Sequence, residues 1–452
     1  MATCGTVGYM VSSLAKELHG FPHKNRNLKT VSDEFDPTEL SYYEGVFFSA
    51  GLFLVIGFIL MAFACIYLCV RACCCNKEAP PGKSKGCNPV FLLICVLLCL
   101  GGLVLGYYGN EFTRDGMLGV ASSVKSANGT VSSANTRVNL ITTNLTGQSR
   151  LLYRLQLEIG NSSVPDPQKT NYVNQASQAR GQVNSAADQS REISSSLESV
   201  PNVAKYADDL KKYEDYRWRS TIGVLCYVLG ILLLAVLCVF CKSVCMLQFN
   251  VFLTLIALIV AWLYGGVFIG VGVLGGDFCV DPDAYIDRAV SNSSREQVVY
   301  FTRCGNCSNP FENDFNTARD NLNRSIVQVA SLTADVQAYR NFTSDNSTDQ
   351  ALTTLTELQY SLSGVDVILV NLFNQDINCT NLNNDYNDLL TSACKKTLDG
   401  AVFTFSGCFV LGVMLVMFIV ASQLYWTRLK DDKDGSDYVV HSYPMQRRHN
   451  KT

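Results

Sequence analysis

Long apolar runs alternate with long polar stretches along the chain, and the two kinds repeat with different periods. Five runs, residues 46–70, 89–108, 220–241, 251–276 and 401–426, contain no Asp, Glu, Lys, Arg or His. A stretch of about 20 uncharged residues is apolar on every face of a helix, and in lipid a single segment satisfies its backbone polar groups only as a helix. Each run therefore predicts a transmembrane helix. The polar stretches carry a seven-residue repeat instead. Met117, Val124, Val131, Val138, Leu145, Leu152 and Ile159 recur at every seventh position. Val120, Ala127, Ala134, Ile141 and Leu155 follow three residues on, interrupted by Gln148. This a/d seam predicts a long amphipathic helix. A weaker seam continues through Ala176, Ala179, Val183, Ala186, Ile193, Leu197 and Val200. The second long stretch repeats the design with Leu322, Val329 and Val336, then Leu355, Leu358, Leu362, Val365, Leu369 and Leu372. Each long loop thus reads as a pair of helices folded back on each other.

The expected fold is an all-α integral membrane protein, with five transmembrane helices and a helical bundle formed by two long loops. Its segments are an N-terminal region 1–45, the first span 46–70, a short loop 71–88, and the second span 89–108. The first long loop 109–219, the third span 220–241, a short loop 242–250 and the fourth span 251–276 follow. The second long loop 277–400, the fifth span 401–426 and a tail 427–452 complete the order.

Charge orients this layout. The short loops and tail carry Arg71, Lys77, Lys83, Lys85, Lys242, Arg428, Lys430, Lys433, Arg447, Arg448 and Lys451, which the positive-inside rule assigns to the cytosol. The N-terminus and both long loops are then extracellular. N-x-[ST] sequons agree, falling at Asn128, Asn144, Asn161, Asn292, Asn306, Asn323, Asn341, Asn346 and Asn378 within the long loops, so glycosylation is expected there. Asn450 is a chance match in the cytosolic tail. The first 45 residues are polar and of mixed charge, so the first span is expected to act as the insertion signal rather than a cleaved peptide. A formal net charge of −3 argues against a nucleic-acid partner.

The chain's 19 cysteines divide by compartment. In RACCCNKEAPPGKSKGC, residues 71–87, Cys73, Cys74 and Cys75 adjoin the membrane and basic residues, a setting for S-acylation shared by Cys241 and Cys245. Free thiols at a helix end are the alternative, and C-C-C lacks the paired spacing of a zinc site. Cys279, Cys304, Cys307, Cys379 and Cys394 lie in the second long loop, where disulfides are expected; five leaves one spare unless Cys4 meets it. His19, His23, His441 and His449 are the only histidines, and no H-E-x-x-H, G-x-S-x-G or P-loop occurs, so no enzyme is expected.

Several runs carry a family resemblance: PHKNRNLKTVSDEFDPTELSYYEG before the first span, GYYGNEFTRDG after the second, and YEDYRW before the third. DFCVDPDAY after the fourth span and YFTRCGNCSNPF beyond it belong to the same set. Together they resemble the Tweety family of five-span membrane proteins more than the longer prominins. The resemblance implies a homodimeric plasma-membrane glycoprotein, described as a chloride channel with calcium-dependent or volume-regulated variants, for which lipid binding has also been suggested. It implies disulfides Cys279–Cys394 and Cys304–Cys379, leaving Cys307 spare. It implies a calcium site just after the second span, here Gly109-Asn110-Glu111-Phe112-Thr113-Arg114-Asp115, with Glu111 and Asp115 on one helix face and Arg114 between them. The glutamate stands one place earlier than in the family pattern. No cofactor is required, and calcium is the one candidate ion. The R-G-D of vertebrate members is absent; SSVPDPQKTNY and Arg180-Gly181-Gln182 stand nearby, and no pore residue transfers.

Two functions remain open on the residues. An anion channel would put chloride along a dimer interface or near Arg217 and Arg219, which flank Trp218 and also read as membrane anchors. A lipid-binding or adhesion scaffold would suit the charge-free spans and the glycines Gly265, Gly266, Gly270, Gly272, Gly275 and Gly276, which favour close helix packing or a lipid-accessible groove.

Overall fold

A computed structural model describes residues 11–74, 89–200, 202–292, 294–304, 308–340 and 346–440, with the backbone alone described for 72–74 and 430–440. Twelve α-helices account for most of it. They are α1 (Ser13–His19), α2 (Leu40–Cys74), α3 (Pro89–Gly160), α4 (Gln168–Glu198), α5 (Ala204–Cys241) and α6 (Val244–Val280), then α7 (Pro282–Ala289), α8 (Arg295–Thr302), α9 (Glu312–Arg340), α10 (Asn346–Asn371), α11 (Cys379–Thr391) and α12 (Leu398–Val440). Two π-helical turns, Leu372–Asp376 and Ser392–Thr397, follow α10 and α11. The described residues contain no strand beyond an isolated bridge between Lys24 and Thr30.

Five helices are long and apolar enough to cross a membrane, and they contain the five apolar runs. The turn joining α5 to α6 is tighter than a nine-residue loop. It is confined to Lys242 and Ser243, with Lys242 in the left-handed region at φ 49°, so Cys245 and Asn250 lie in α6. Asn250 is fully buried there.

The chain divides into two compact units. One comprises Ala121–Asp208 and Ile286–Leu389, besides its N-terminal residues outside the described set. Here α3, α4, α9 and α10 share one core. The heptad residues Val138, Ile141, Leu145, Leu152 and Leu155 of α3 are essentially solvent-free, as are Ala176, Val183 and Ile193 of α4. Leu322 and Val329 of α9 meet Leu355, Leu358 and Leu362 of α10 in the same cluster. Each buried Leu or Ile contributes about 1.5–3 kcal/mol, which is what drives four helices of polar composition together. Cross-helix bonds fix the directions. Asn321 and Ser325 of α9 contact Ser185 and Ala179 of α4, while Tyr172 reaches Asp335, so α4 and α9 run antiparallel. Arg319 with Asp366 and Arg340 with Asp349 make α9 and α10 antiparallel as well. Cys304 is bonded to Cys379 across this unit, with Cα atoms 5.4 Å apart.

The other unit comprises Met10–Val120, Asp209–Tyr285 and Leu390–Thr452 so far as described, and holds the five apolar runs. Glycine sets its packing. Gly102, Gly106 and Gly109 of α3 face Gly400, Thr404 and Gly407 of α12; a Cβ on Gly407 would lie 2.6 Å from the Gly106 nitrogen, so the backbones touch. Trp262 of α6 is packed between Gly57 of α2 and Gly412 of α12 in the same way. The glycines of the fourth span receive Phe53 at Gly265, Leu54 at Gly266, Leu18 at Gly276 and Leu398 at Gly275. These four serve helix packing within the chain.

Candidate functional site

Chain order brings five segments to one face of the span bundle: the start of α2, α3 just past its apolar run, α5 just before its own, the end of α6 and the start of α12. Two buried polar clusters form there, each built around one carboxylate.

The first is centred on Asp277, at the end of the fourth apolar run. Its side chain is fully buried, which is tolerable for a carboxylate only with strong donors. His19 Nδ1 lies 2.8 Å from Oδ1, His23 Nε2 lies 2.8 Å from Oδ2, and the Tyr42 hydroxyl donates to Oδ2 at 2.8 Å. Asp33 stands 3.5 Å from the other ring nitrogen of His19. The hydrogen bond to Asp277 raises the His23 pKa above its ordinary 6.5 despite burial, with further help from the Asp277 charge and a backbone bond to Phe21. Local sequence explains the placement. Ser12 caps α1 by accepting from the Ala15 amide at 3.1 Å, and α1 lies so close to α6 that a Cβ on Gly276 would come within 2.8 Å of Leu18 Cβ. Phe35 closes the cluster edge-on to Tyr42, Phe278 and Tyr285.

The second cluster joins α3 to α5. Glu214 is buried and receives Arg217 bidentately, at 2.7 Å from Nε and 2.6 Å from Nη2. Arg217 also donates to Asn110 Oδ1 at 2.8 Å and to the Asn110 carbonyl at 3.2 Å, and lies over the Phe268 ring of α6. Trp218 donates its indole N–H to Glu111 at 2.8 Å, and Arg114 stacks on the same indole with its guanidinium carbon 4.2 Å from the ring centre. Arg219 points outward and pairs with Asp215 at 2.7 Å. Neither arginine flanking Trp218 presents an unpaired charge. Arg217 locks two helices together, a role between anchor and vestibule that the sequence pattern did not separate.

The residues of the expected calcium pair stand in these surroundings. The Glu111 carboxylate holds the Trp218 indole, Asp115 is exposed, and Arg114 sits between them. Among the described residues no group of three His, Cys, Asp or Glu converges to hold a metal ion. Calcium takes six to eight oxygens, so an ion at Glu111 and Asp115 would need further oxygen ligands.

Nearby, Cys279 of α6 is bonded to Cys394 in the π turn before α12, with Cα atoms 5.5 Å apart. Of the sequons, Asn161, Asn292, Asn323, Asn346 and Asn378 are exposed and Asn128 and Asn144 half-buried, whereas Asn306 and Asn341 lie outside the described residues. Cys75 and Cys307 also lie outside them, as do Cys4, His441 and His449; Cys241 and Cys245 are exposed. Between α2 and α6 a cavity of about 370 Å³ is lined by apolar side chains, among them Leu54, Phe58, Met61, Ile259, Trp262 and Leu263.

The Asp277 cluster escaped the sequence pattern. Its signal was an aspartate as the first charged residue after a 26-residue apolar run, read together with two histidines four apart in the N-terminal segment. The glycines of α3 and α12 were equally legible as small residues spaced three or four apart, Gly102-x₃-Gly106 and Gly400-x₃-Thr404.

Five apolar helices, glycine-mediated span packing and buried charge clusters at one face define a multi-pass helical membrane protein. Comparison with known sequences makes the class specific. The Tweety family model matches residues 10–451, and the chain belongs to that family. It is 28% identical to protein tweety homolog 1 of Xenopus tropicalis, over 95% of this chain and 95% of that protein. It is 24% identical to protein tweety homolog 3 of Danio rerio, over 93% of this chain and 73% of that protein. Protein tweety of Drosophila melanogaster is 20% identical over 97% of this chain, which covers 45% of the fly protein.

Proposed function

We propose that this protein is a plasma-membrane chloride channel of the Tweety type, acting as a homodimer with both long loops outside the cell and the tail in the cytosol. Family membership across residues 10–451 is the observation that carries this reading. The five apolar runs hold no Lys or Arg, and Arg217 and Arg219 are paired with Glu214 and Asp215, so a single chain offers an anion little fixed positive charge. We therefore assign the path to the interface between two copies, lined by hydroxyls and backbone dipoles. The five exposed sequon asparagines fit glycan attachment, and Cys73, Cys74 and Cys75, with the exposed Cys241 and Cys245, are proposed acylation sites. No cofactor and no catalysis enter this reading. Calcium enters only as an ion completed by water, carbonyls or a second copy beside Glu111 and Asp115.

A second reading, a lipid-binding scaffold that does not conduct, is favoured by the apolar cavity between α2 and α6. Purified protein reconstituted in liposomes separates the two. A channel gives chloride flux that scales with protein content and responds to an osmotic gradient; a scaffold gives none and carries a stoichiometric lipid detectable by mass spectrometry. Absence of flux across protein densities, with and without the gradient or calcium, rejects the channel.

A further inference from the structure

The segment between Ser12 and the first span meets the fourth span at one buried carboxylate. His19 of α1, His23 of the following loop and Tyr42 at the start of α2 all converge on Asp277 of α6, each at 2.8 Å. We propose that this cluster is a proton-operated clamp: a proton on His23 seats the segment against α6, and loss of that proton as the pH rises loosens it.

Three observations carry the proposal. A fully buried carboxylate needs a compensating cation, and the groups directly against Asp277 are two imidazoles and a phenol. His23 is itself buried, with its Nε2 2.8 Å from Asp277 Oδ2. Protonated, that ring supplies a cation at the buried carboxylate; neutral, it offers a weaker, uncharged donor. Apolar contacts that do not titrate also lie along the segment, Leu18 and Ala15 on Gly276 and Phe35 among Phe278 and Tyr285, so the clamp acts on a segment already placed beside α6.

The carboxylates that face His23 favour its proton. Asp277 faces it from α6 and Asp33 acts on it from the loop, both as negative charges. His19 of α1 lies beside it with ring centres 6.5 Å apart, held between Asp277 and Asp33. From α2, Tyr42 stacks on it at 6.2 Å and Tyr43 stands behind Tyr42. The His23 pKa is raised above 6.5, so the clamp's contribution is fully present below that value and is lost as the pH climbs through the raised one. The expected response therefore has a sign. The segment tightens in mildly acid solution and loosens in alkaline solution, by about tenfold in its seating equilibrium for each unit by which the seated state holds the proton more tightly. None of this depends on whether the protein conducts.

Two measurements on the purified full-length protein test it. Exchange of the imidazole C2 hydrogen, read by mass spectrometry, gives the His23 titration directly; a midpoint above 6.5 is expected, and one at or below 6.5 overturns the clamp. Amide hydrogen exchange over residues 11–45 is then followed from pH 5.5 to 9 in wild type and in His23→Gln, whose ratio at each pH cancels the chemical pH dependence of exchange. Wild type is expected to be the more protected at pH 5.5, with the ratio falling as the pH rises. A ratio independent of pH overturns the proposal even if the variant is less stable throughout.

Discussion

Arg217 shows how much one residue can hold. Its guanidinium satisfies both oxygens of buried Glu214 and the side chain and carbonyl of Asn110, linking α5 to α3. Removing it leaves Glu214 as an uncompensated buried charge, a change that typically costs about 3–5 kcal/mol. Arg217→Ala is therefore expected to lower thermal stability in detergent sharply, measured by size-exclusion profiles after heating. Arg217→Ala combined with Glu214→Gln should recover part of that loss, because the orphaned charge is gone. Equal melting of the single and double variants would contradict the pairing. Gly57 is a second residue of this kind. A Cβ there would meet the Trp262 ring at 2.5 Å, so Gly57→Leu overpacks the joint between α2 and α6. Overpacking of that sort costs about 1–3 kcal/mol, and intrinsic Trp fluorescence followed on heating would report an earlier transition.

At the scale of elements, the heptad seam accounts for the helical bundle and for an irregularity in α3. Gln148 interrupts the seam of α3, yet it is as buried as its apolar neighbours, and its Oε1 has no hydrogen-bond partner among the described residues. A polar residue at a core position lowers stability while restricting register. Gln148→Leu is therefore expected to stabilise the full-length protein by about 1–2 kcal/mol, seen as a raised melting temperature. A lowered one would mean that the amide has a partner, a bound water included. The seam residues from Ala134 to Ile159 are buried, whereas Val124 and Val131 are only half-buried, so the repeat marks a helix more reliably than it marks where that helix is covered.

At the scale of the whole molecule, the five apolar helices, their order and the heptad cores were legible in the residues because both signals are local. An uncharged stretch must be a helix in lipid whatever surrounds it, and a seven-residue repeat presents one apolar stripe whatever it meets. The same is true of small residues spaced three or four apart, which announce close packing without naming the partner. What those signals lack is pairing across sequence distance. Asp277 lies 258 residues from His19 and 254 from His23, and nothing in either neighbourhood names the other. Arg217 could be read as an anchor or as a vestibule charge until its partners at Glu214 and Asn110 were known. By itself the sequence determined an all-α chain with five apolar helices and two heptad-bearing loops, because helix formation and amphipathicity are properties of contiguous residues. Only the tertiary structure decided which polar groups share a buried site, because the free energy of a buried charge is set by whichever distant donors the fold brings within about 3 Å of it.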